Sequence, residues 1–369
     1  MTKKPKIRPI AFVLPQFHPI PENDKWWGEG FTEWTNVTKA SPLFKGHYQP
    51  QLPTDLGFYD LRLSEAREAQ ANIAKEHGIY GFCYYHYWFN GKRLLNQPID
   101  EMLRLQKPDM PFMLCWANEN WTRRWDGKDE DILIKQEYSF EDDKEHMRWL
   151  CEHVFSDERY LKVDACPVFI VYRHNLFPNI KETGKIWRKI AKEEYGFKDL
   201  YLCITESYKT KLNPTEISFD ASLEFSPHDV IRNKILKKRS VRYLENLRLK
   251  KKTNYSLRDF SLAVEQAITR EVPKEYKLYR SITPSWDNTA RKGLNGTIAV
   301  GSSPFLYKKW LTAIIKRFTP YSTNENFIFI NAMNEWAEGN HLEPCVKYGR
   351  AYLEVTKEVV EEQNKRDCN

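Results

Sequence analysis

The sequence predicts a single (β/α)8 barrel. Eight short apolar runs recur along the chain, most of them continuously apolar rather than alternating, and helical segments separate several of them. A continuously apolar strand is typical of a parallel sheet that is buried on both faces. Repeated alternation of strand and helix favours closure into a barrel. The eight runs are Ile10–Phe17, Ile79–Tyr87, Phe112–Asn118, Val168–Tyr172, Tyr201–Thr205, Ala221–Phe225, Leu278–Pro284 and Phe327–Ala332.

Four segments between these runs carry helix signals. Ser64–His77 repeats alanine and isoleucine at helical spacing, and Gly78 supplies a C-terminal stop. Ser139 and Asp142 resemble a capping box ahead of an apolar stripe. Two further helices are expected around Trp187–Ala191, ending near Gly196, and around Leu306–Phe318.

An open doubly wound sheet is the alternative fold. Such sheets often carry a glycine-rich phosphate loop after the first strand, and LPQFHPIPEN at residues 14–23 has no such pattern. The connection that follows, Asn23–Pro53, is long, aromatic and rich in glycine and proline. Loops of this length inside a compact domain are usually functional. We therefore expect it to fold over the barrel mouth as one wall of a cleft.

The composition is that of a soluble globular protein. The chain has 369 residues, 41% of them hydrophobic and 29% charged, and we expect one catalytic domain over residues 1–369. No apolar run approaches the roughly 20 residues that a membrane span needs, and no secretory signal follows the basic N-terminus. Several of the seven cysteines lie in apolar runs without close Cys/His spacing. Reduced core cysteines, no metal or other cofactor, and a cytoplasmic location are expected.

The basic residues are concentrated in one segment. Residues 231–252 carry ten lysines or arginines against Glu245, so the rest of the chain is slightly acidic although the formal net charge is +7. A solvated helical insertion is the preferred interpretation. An anionic surface, either the inner membrane or a polysaccharide, is the alternative partner. No recognised nucleic-acid motif accompanies the segment, so nucleic acid is not expected as a partner.

Amides, carboxylates, imidazoles and indoles gather where the predicted strands end. Active sites of (β/α)8 barrels lie at this end of the strands. Pyranose rings stack their apolar faces on aromatic rings while their hydroxyls take directional hydrogen bonds, so this mixture favours a sugar ligand. Any one tryptophan, His86 or Glu224 is equally consistent with a structural role. The candidate binding residues are His18, Trp27, Trp34, Tyr84, His86, Trp88, Trp116, Asn118, Glu119, Glu224, Trp286, Asn334 and Trp336.

Glu335 and Glu338 are the candidate catalytic residues. They follow the last apolar run, and residues three apart on an extended strand would point to opposite faces. The chain must therefore turn after Trp336, and Gly339 gives it the freedom to do so. If both carboxyls face the barrel mouth, their repulsion should raise the pKa of one of them, leaving one acid and one carboxylate near neutral pH.

These motifs carry a resemblance to known families. NEWAEG (Asn334–Gly339) resembles the EWxEG motif of glycoside hydrolase family 99, the endo-α-mannosidases and endo-α-mannanases. The stretch Trp26–Arg62 closely resembles the family-99-like WbsX-type glycosyltransferases of bacterial surface-polysaccharide synthesis. That second resemblance covers most of the chain, through LPQFHPI, GFCYYHYWFNGK, CWANENWTRRWDG and NEWAEGNHLEP. Ala337 stands where the mannosidases carry histidine.

The resemblance implies a retaining mechanism with two glutamates. Glu335 would be the base acting on a sugar 2-hydroxyl, which attacks the anomeric carbon to give a 1,2-anhydro sugar. Glu338 would be the acid that protonates the leaving oxygen and then the base for water. The substrate class implied is an α-linked oligosaccharide or polysaccharide, with mannose as a candidate sugar.

Three alternatives remain open at the level of sequence. A glycosyltransferase of lipopolysaccharide synthesis would use an activated donor, and a non-catalytic barrel would only bind glycan. A third assignment pairs Glu119 with Glu335 across the barrel, as in classical retaining glycosidases, whose carboxyls lie about 5–5.5 Å apart.

Overall fold

Eight parallel strands form the barrel of this protein. The computed structural model describes residues 6–123, 128–207, 211–227, 243 and 254–366. Each predicted apolar run overlaps one barrel strand, which confirms the predicted (β/α)8 fold. The strands are β1 Arg8–Val13, β2 Gly81–Phe89, β3 Phe112–Trp116, β4 Cys166–Val171, β5 Tyr201–Glu206, β6 Ala221–Glu224, β7 Leu278–Tyr279 with Ser281–Ile282, and β8 Phe327–Ile330.

The barrel closes through β7, which is split. Its first half pairs with β6 in the register Ser222↔Leu278, and its second half pairs with β8 in the register Ser281↔Phe329. Strand β8 pairs in turn with β1, so no edge of the sheet is left open among the described strands. Closure excludes the open doubly wound sheet that the sequence left as an alternative.

Helices surround the barrel on the outside. The residues of β1, β3, β4 and β8 are almost all buried, as expected for strands covered on both faces. The predicted helices are confirmed, and between β5 and β6 a short 3-10 turn, Pro214–Ile217, takes the place of a helix. The helices in the described part of the chain are α1 Pro21–Trp27, α2 Glu33–Lys39, α3 Ser64–Glu76, α4 Gln97–Leu105, α5 Phe140–His153, α6 Ile180–Glu193, α7 Phe260–Thr269, α8 Thr289–Lys292, α9 Pro304–Arg317 and α10 Ala351–Arg366.

Side-chain caps set the start of several helices. The Ser139 hydroxyl accepts a hydrogen bond of 3.1 Å from the backbone N–H of Asp142, as the capping pattern in the sequence predicts. Asn179 caps α6 in the same way, accepting from the N–H of Glu182 at 3.1 Å. A cap of this kind typically contributes about 1 kcal/mol.

Short strands lie outside the barrel sheet, several of them at its mouth. The antiparallel pair Asn334–Glu335 and Asn340–His341 forms a tight hairpin after β8. We call residues 334–341 the catalytic hairpin because they carry the two candidate catalytic residues. The others are Lys92–Leu94, Trp121–Arg123, Lys128–Ile134, Lys162–Val163, Ser256–Asp259 and Thr297–Val300.

The basic segment lies almost wholly outside the described residues. Of residues 231–252 only Tyr243 is described, so the expectation of a solvated insertion stays a prediction. Cys83, Cys115 and Cys203 are reduced and buried in the core, as expected. Among the described helices, none combines the length and the apolar character that crossing a bilayer would require.

Candidate active site

A cavity of about 430 Å³ opens at the carboxyl ends of the barrel strands. Tyr85 on β2 stacks on Phe12 of β1, and Phe225 packs edge-on against both Phe12 and Tyr172, so aromatic rings close the barrel beneath the cavity. The residues around it come from the ends of seven of the eight strands and from the first loop. Its main lining residues are Gln16, Asn23, Trp26, Trp27, Tyr85, Tyr87, Glu119, Trp121, Tyr172, Phe225, Arg258, Trp286, Asn288, Arg291, Lys292, Asn331, Glu335 and Glu338.

The long first loop forms one wall, as the sequence predicts. Its helix α1 contributes Asn23, Trp26 and Trp27 to the cavity lining. Trp26 packs edge-on against Trp121, with 5.9 Å between ring centroids, and Trp121 packs against Tyr87 at 5.5 Å. The wall is thus a continuous aromatic surface of the kind on which a pyranose ring stacks.

Glu335 and Glu338 both face the cavity because the chain turns between them. A single 3-10 turn, Trp336–Glu338, separates the two strands of the catalytic hairpin, and Gly339 closes it with φ 55°. A side chain at position 339 would place its Cβ 2.5 Å from Gln51 Nε2 and 3.0 Å from Asp287 O. Glycine is therefore required both for the left-handed backbone and for the close packing.

One guanidinium bridges the two carboxyls. Arg291 on α8 donates from Nη1 to Glu338 Oε1 at 2.8 Å and from Nη2 to Glu335 Oε2 at 2.7 Å. Its Nη2 also donates to Glu33 Oε1 at 2.8 Å. Three carboxyls from two parts of the chain therefore share one arginine, an arrangement that restrains the side chains of both candidate catalytic residues.

The cluster is buried, and burial has the largest effect on its proton affinities. Burial raises the pKa of Glu335, Arg291 opposes the rise, and Glu338 and Glu33 add to it by repulsion. Burial likewise raises the pKa of Glu338, against Arg291 and with the help of Glu33. The raised pKa expected from the sequence is present, but desolvation contributes more to it than repulsion does.

A second network holds α8 against the first loop. Asp287, just before α8, accepts hydrogen bonds from His47 Nε2 at 2.7 Å and Gln49 Nε2 at 2.9 Å. Its other oxygen accepts from the hydroxyl of Thr289, the first residue of α8, at 2.6 Å. These bonds fix the short helix that carries Arg291.

Glu343 supports the catalytic hairpin from behind. It accepts hydrogen bonds from Trp336 Nε1 at 2.7 Å, Gln70 Nε2 at 2.7 Å and the Tyr59 hydroxyl at 2.9 Å. Burial raises the pKa of Glu343 to about 7. The Trp336 ring stacks on His341, with 3.7 Å between centroids. Trp336 is therefore a packing residue of the hairpin, and it does not line the cavity.

The structure places the candidate site residues in three groups. Trp27, Glu119, Trp286, Glu335 and Glu338 line the cavity. Asn118 and Asn334 brace the cavity rim without lining it: Asn118 Nδ2 donates to the carbonyl of Arg173 at 2.9 Å, and Asn334 Oδ1 accepts from the N–H of Leu14 at 2.8 Å. The remaining candidates lie elsewhere.

The prediction that His86, Trp88 and Trp116 face the cavity is wrong. His86 Nε2 lies 2.9 Å from His146 Nε2 on α5, and Trp88 Nε1 donates to Asp142 on the same helix at 2.9 Å. Trp116 packs edge-on against His146 at 4.5 Å. Successive residues of a strand face opposite sides, so Tyr85 and Tyr87 line the cavity and the residues beside them face the helices.

The structure also places four other predicted binding residues outside the cavity lining: Tyr84, Glu224, His18 and Trp34. Tyr84 lies on the helix side of β2 with His86 and packs edge-on against Phe112. Trp34 packs against Phe17 and Trp336 beneath the loop, and His18 is 1% exposed in the protein interior. Burial lowers the pKa of His18 to about 4, so this imidazole is neutral at pH 7.

Glu224 has the structural role that the sequence left open. It receives hydrogen bonds from Arg280 Nε and Arg270 Nη1, both at 2.7 Å. Burial alone would raise the pKa of Glu224, and the two guanidiniums together bring it below its usual range.

Comparison with known proteins agrees with this architecture. A solved glycoside hydrolase-like protein superposes with a TM-score of 0.61 at 14% identity, over 98% of this chain and 95% of its own. The family 99 endo-α-mannosidase from Bacteroides thetaiotaomicron superposes with a TM-score of 0.58 at 14% identity, over 98% and 99% of the two chains. These neighbours share the fold of a carbohydrate-active (β/α)8 enzyme.

Sequence comparison shows the family to which the chain belongs. The model of the family described as glycosyltransferase WbsX matches residues 9–356, and the chain belongs to that family. The protein WxcX of Xanthomonas campestris pv. campestris strain B100 is 39% identical over 352 residues. That alignment covers 95% of this chain and 49% of WxcX, so the chain spans about half the length of the curated relatives it matches.

Proposed function

We propose that the chain is a retaining glycosidase-like enzyme that acts on an α-linked oligosaccharide or polysaccharide in bacterial surface-polysaccharide metabolism. The observation that carries the proposal is the pair of carboxyls, the buried Glu335 and the half-buried Glu338, bridged by Arg291 in a cavity with an aromatic wall. Mannose is the first candidate sugar, because a structural neighbour is an endo-α-mannosidase.

In the proposed mechanism the substrate's own hydroxyl is the nucleophile. Glu335 removes the proton of the 2-hydroxyl, whose oxygen attacks the anomeric carbon as the glycosidic bond breaks, giving a 1,2-anhydro sugar. Glu338 donates its proton to the leaving oxygen, and the carboxylate so formed then takes a proton from water. The water oxygen attacks the anomeric carbon and opens the three-membered ring, while Glu335 returns its proton to the 2-oxygen. Two inversions at the anomeric carbon leave its configuration retained.

The described contacts support this division of labour. Arg291 holds the two carboxyls by different nitrogens, so both face the same part of the cavity. Glu119 also lines the cavity, but it forms an ion pair with Arg173 at the end of β4. The charges of Glu338 and Glu33 are among the leading causes of the raised pKa of Glu335. The pair within the hairpin is therefore favoured over a pair across the barrel.

Glycosyl transfer is the second candidate, and the family description favours it. The same chemistry yields transfer if a sugar hydroxyl replaces water in the second step. A transferase with an activated donor should be stabilised against heat by a nucleotide sugar, whereas a glycosidase should be stabilised by the oligosaccharide alone.

The test is a pair of isosteric substitutions. Glu335→Gln and Glu338→Gln keep the side-chain size but cannot exchange a proton, so each should abolish cleavage of natural glycans, by at least about 100-fold. On an aryl α-glycoside with a nitrophenolate leaving group, which needs little protonation, Glu338→Gln should retain far more bond cleavage than Glu335→Gln. Product release would be measured with both substrate types.

Glu119→Gln is the matched control for this experiment. It changes a third carboxyl of the same cavity and should leave the difference between the two substrates as in the wild type. Wild-type rates in both hairpin variants, with activity lost in Glu119→Gln, would reject the assignment. Glycan binding without turnover in the wild type and in every variant would instead show a barrel that only binds.

A further inference from the structure

Glu33 is a third carboxyl at the candidate catalytic pair. It lies on α2 of the first loop, far from the catalytic hairpin in sequence, and is fully buried. Its Oε1 accepts a hydrogen bond of 2.8 Å from Arg291 Nη2 and one of 3.0 Å from the backbone N–H of Ala337. Ala337 lies between Glu335 and Glu338 in the sequence. Glu33 thus contacts both the bridging arginine and the turn that carries the pair.

Several elements place charged or titratable groups around this cluster. Helix α8 supplies two cations, Arg291 and Lys292, and the positive charge of Lys292 acts on Glu338. Strand β2 supplies two phenols, and the hydrogen-bonded pair of Asp287 and His47 lies behind Gly339. The groups that face the cluster are Glu33, Tyr85, Tyr87, Asp287 with His47, Arg291, Lys292, Glu335 and Glu338.

We propose that Glu33 is a positioning residue that keeps one proton on the Glu335–Glu338 pair. This inference rests on the proposed function and deepens it, since the mechanism requires one carboxylate and one carboxylic acid in the same resting enzyme.

Charge balance in a buried site gives the reason. Without Glu33, the two cations of α8 would balance two ionised carboxylates, and the pair would have no proton to donate. With Glu33, three carboxyls share Arg291, and Lys292 is the other cation of α8 that acts on them, so one retained proton relieves the excess of negative charge at the cluster. An unbalanced charge is costly in a desolvated site, so the proton is held. The same repulsion from Glu33 contributes to the raised pKa of Glu335 and of Glu338.

Glu33→Gln tests the proposal, with Glu29→Gln as the matched control. The substituted glutamine keeps an oxygen for the Ala337 N–H, whereas Glu29 lies exposed on the same loop. In kcat/KM on a natural glycan, the descending limb of the pH profile should move to lower pH by about one unit in Glu33→Gln. Above neutral pH, kcat/KM of Glu33→Gln on the natural glycan should then fall about tenfold, and kcat/KM on an aryl glycoside should fall much less. The control Glu29→Gln should behave as the wild type.

A second measurement does not depend on turnover. Infrared difference spectra between the wild type and Glu338→Gln should show the band of a protonated carboxyl at neutral pH. The band should be lost between Glu33→Gln and the double variant Glu33→Gln/Glu338→Gln. If the wild type shows the band but no turnover, and Glu33→Gln loses the band, the proposed function is rejected while the role of Glu33 is supported.

Two further variants distinguish the charge effect of Glu33 from a folding defect. Glu33→Asp keeps the charge and should keep the protonated carboxyl, and Lys292→Met removes a cation and should move the descending limb to higher pH. The proposal is overturned if Glu33→Gln leaves the limb and the carboxyl band in place, or if it lowers activity equally at every pH and on both substrates. Either result would assign Glu33 a purely structural role.

Discussion

Glu343 is a carboxyl whose titration should be visible in the stability of the protein. Burial raises its pKa from 4.5 to about 7 in the folded state. Between these two values the folded state binds more protons than the unfolded state. The contribution of Glu343 to the free energy of unfolding therefore falls as pH rises from about 4.5 to 7, and stays low above that.

Glu343→Gln removes this titration. One of its three hydrogen-bond donors loses an acceptor, so the variant should be less stable than the wild type at pH 5. Relative to the wild type it should gain roughly 2.5 kcal/mol between pH 5 and pH 8, measured as the free energy of unfolding in urea. Parallel pH dependences in the two proteins would show that Glu343 does not titrate in this range.

At the residue scale, sequence reasoning placed the two candidate catalytic carboxyls together but did not predict their partners. The motif after the last strand and Gly339 are local features, so Glu335 and Glu338 could be placed together from spacing alone. Glu33 and Arg291 reach the pair from helices 258 positions apart in the chain, and only tertiary packing brings them together. No local pattern indicates such a contact.

At the scale of the element, the sequence did not predict which side chains of β2 point into the barrel. GFCYYHYWF is aromatic or apolar throughout, because one face of the strand lines the barrel and the other packs against α5. With both faces buried, the sequence does not show which side chains point inward. The position of each strand was therefore predictable, while the facing of Tyr84, His86 and Trp88 was not.

Tyr84 and Tyr87 offer a matched pair for this point. Each substitution to phenylalanine removes one phenol hydroxyl from the same strand, but only Tyr87 lines the cavity. Tyr87→Phe should lower kcat/KM for a glycan about tenfold, the scale of one lost hydrogen bond to the ligand. Tyr84→Phe should leave kcat/KM unchanged, and thermal unfolding should confirm that both variants fold. An equal loss in both would contradict the observed facing of β2.

At the scale of the whole molecule, we expect the basic segment to be independent of the site. Residues 231–252 carry ten lysines or arginines, which suits a solvated or membrane-apposed surface. A variant with its lysines changed to glutamine should keep wild-type turnover. Sedimentation with vesicles containing anionic lipid should be weaker for the variant than for the wild type, and more so at low salt. Equal sedimentation of the two proteins would end the membrane hypothesis, and lost turnover would place the segment in the site.

The split strand β7 also has a consequence for how the barrel comes apart. Each half of β7 pairs with its neighbour over two residues, whereas β2 and β3 pair over five. Backbone amides along this seam should exchange with solvent before those of β1 to β4, since fewer hydrogen bonds must open there. Trp286 and Arg291 follow directly from that strand. If the pairing of β7 opens first, Arg291 would separate from Glu335 and Glu338. Activity would then be lost on mild heating before the rest of the barrel unfolds.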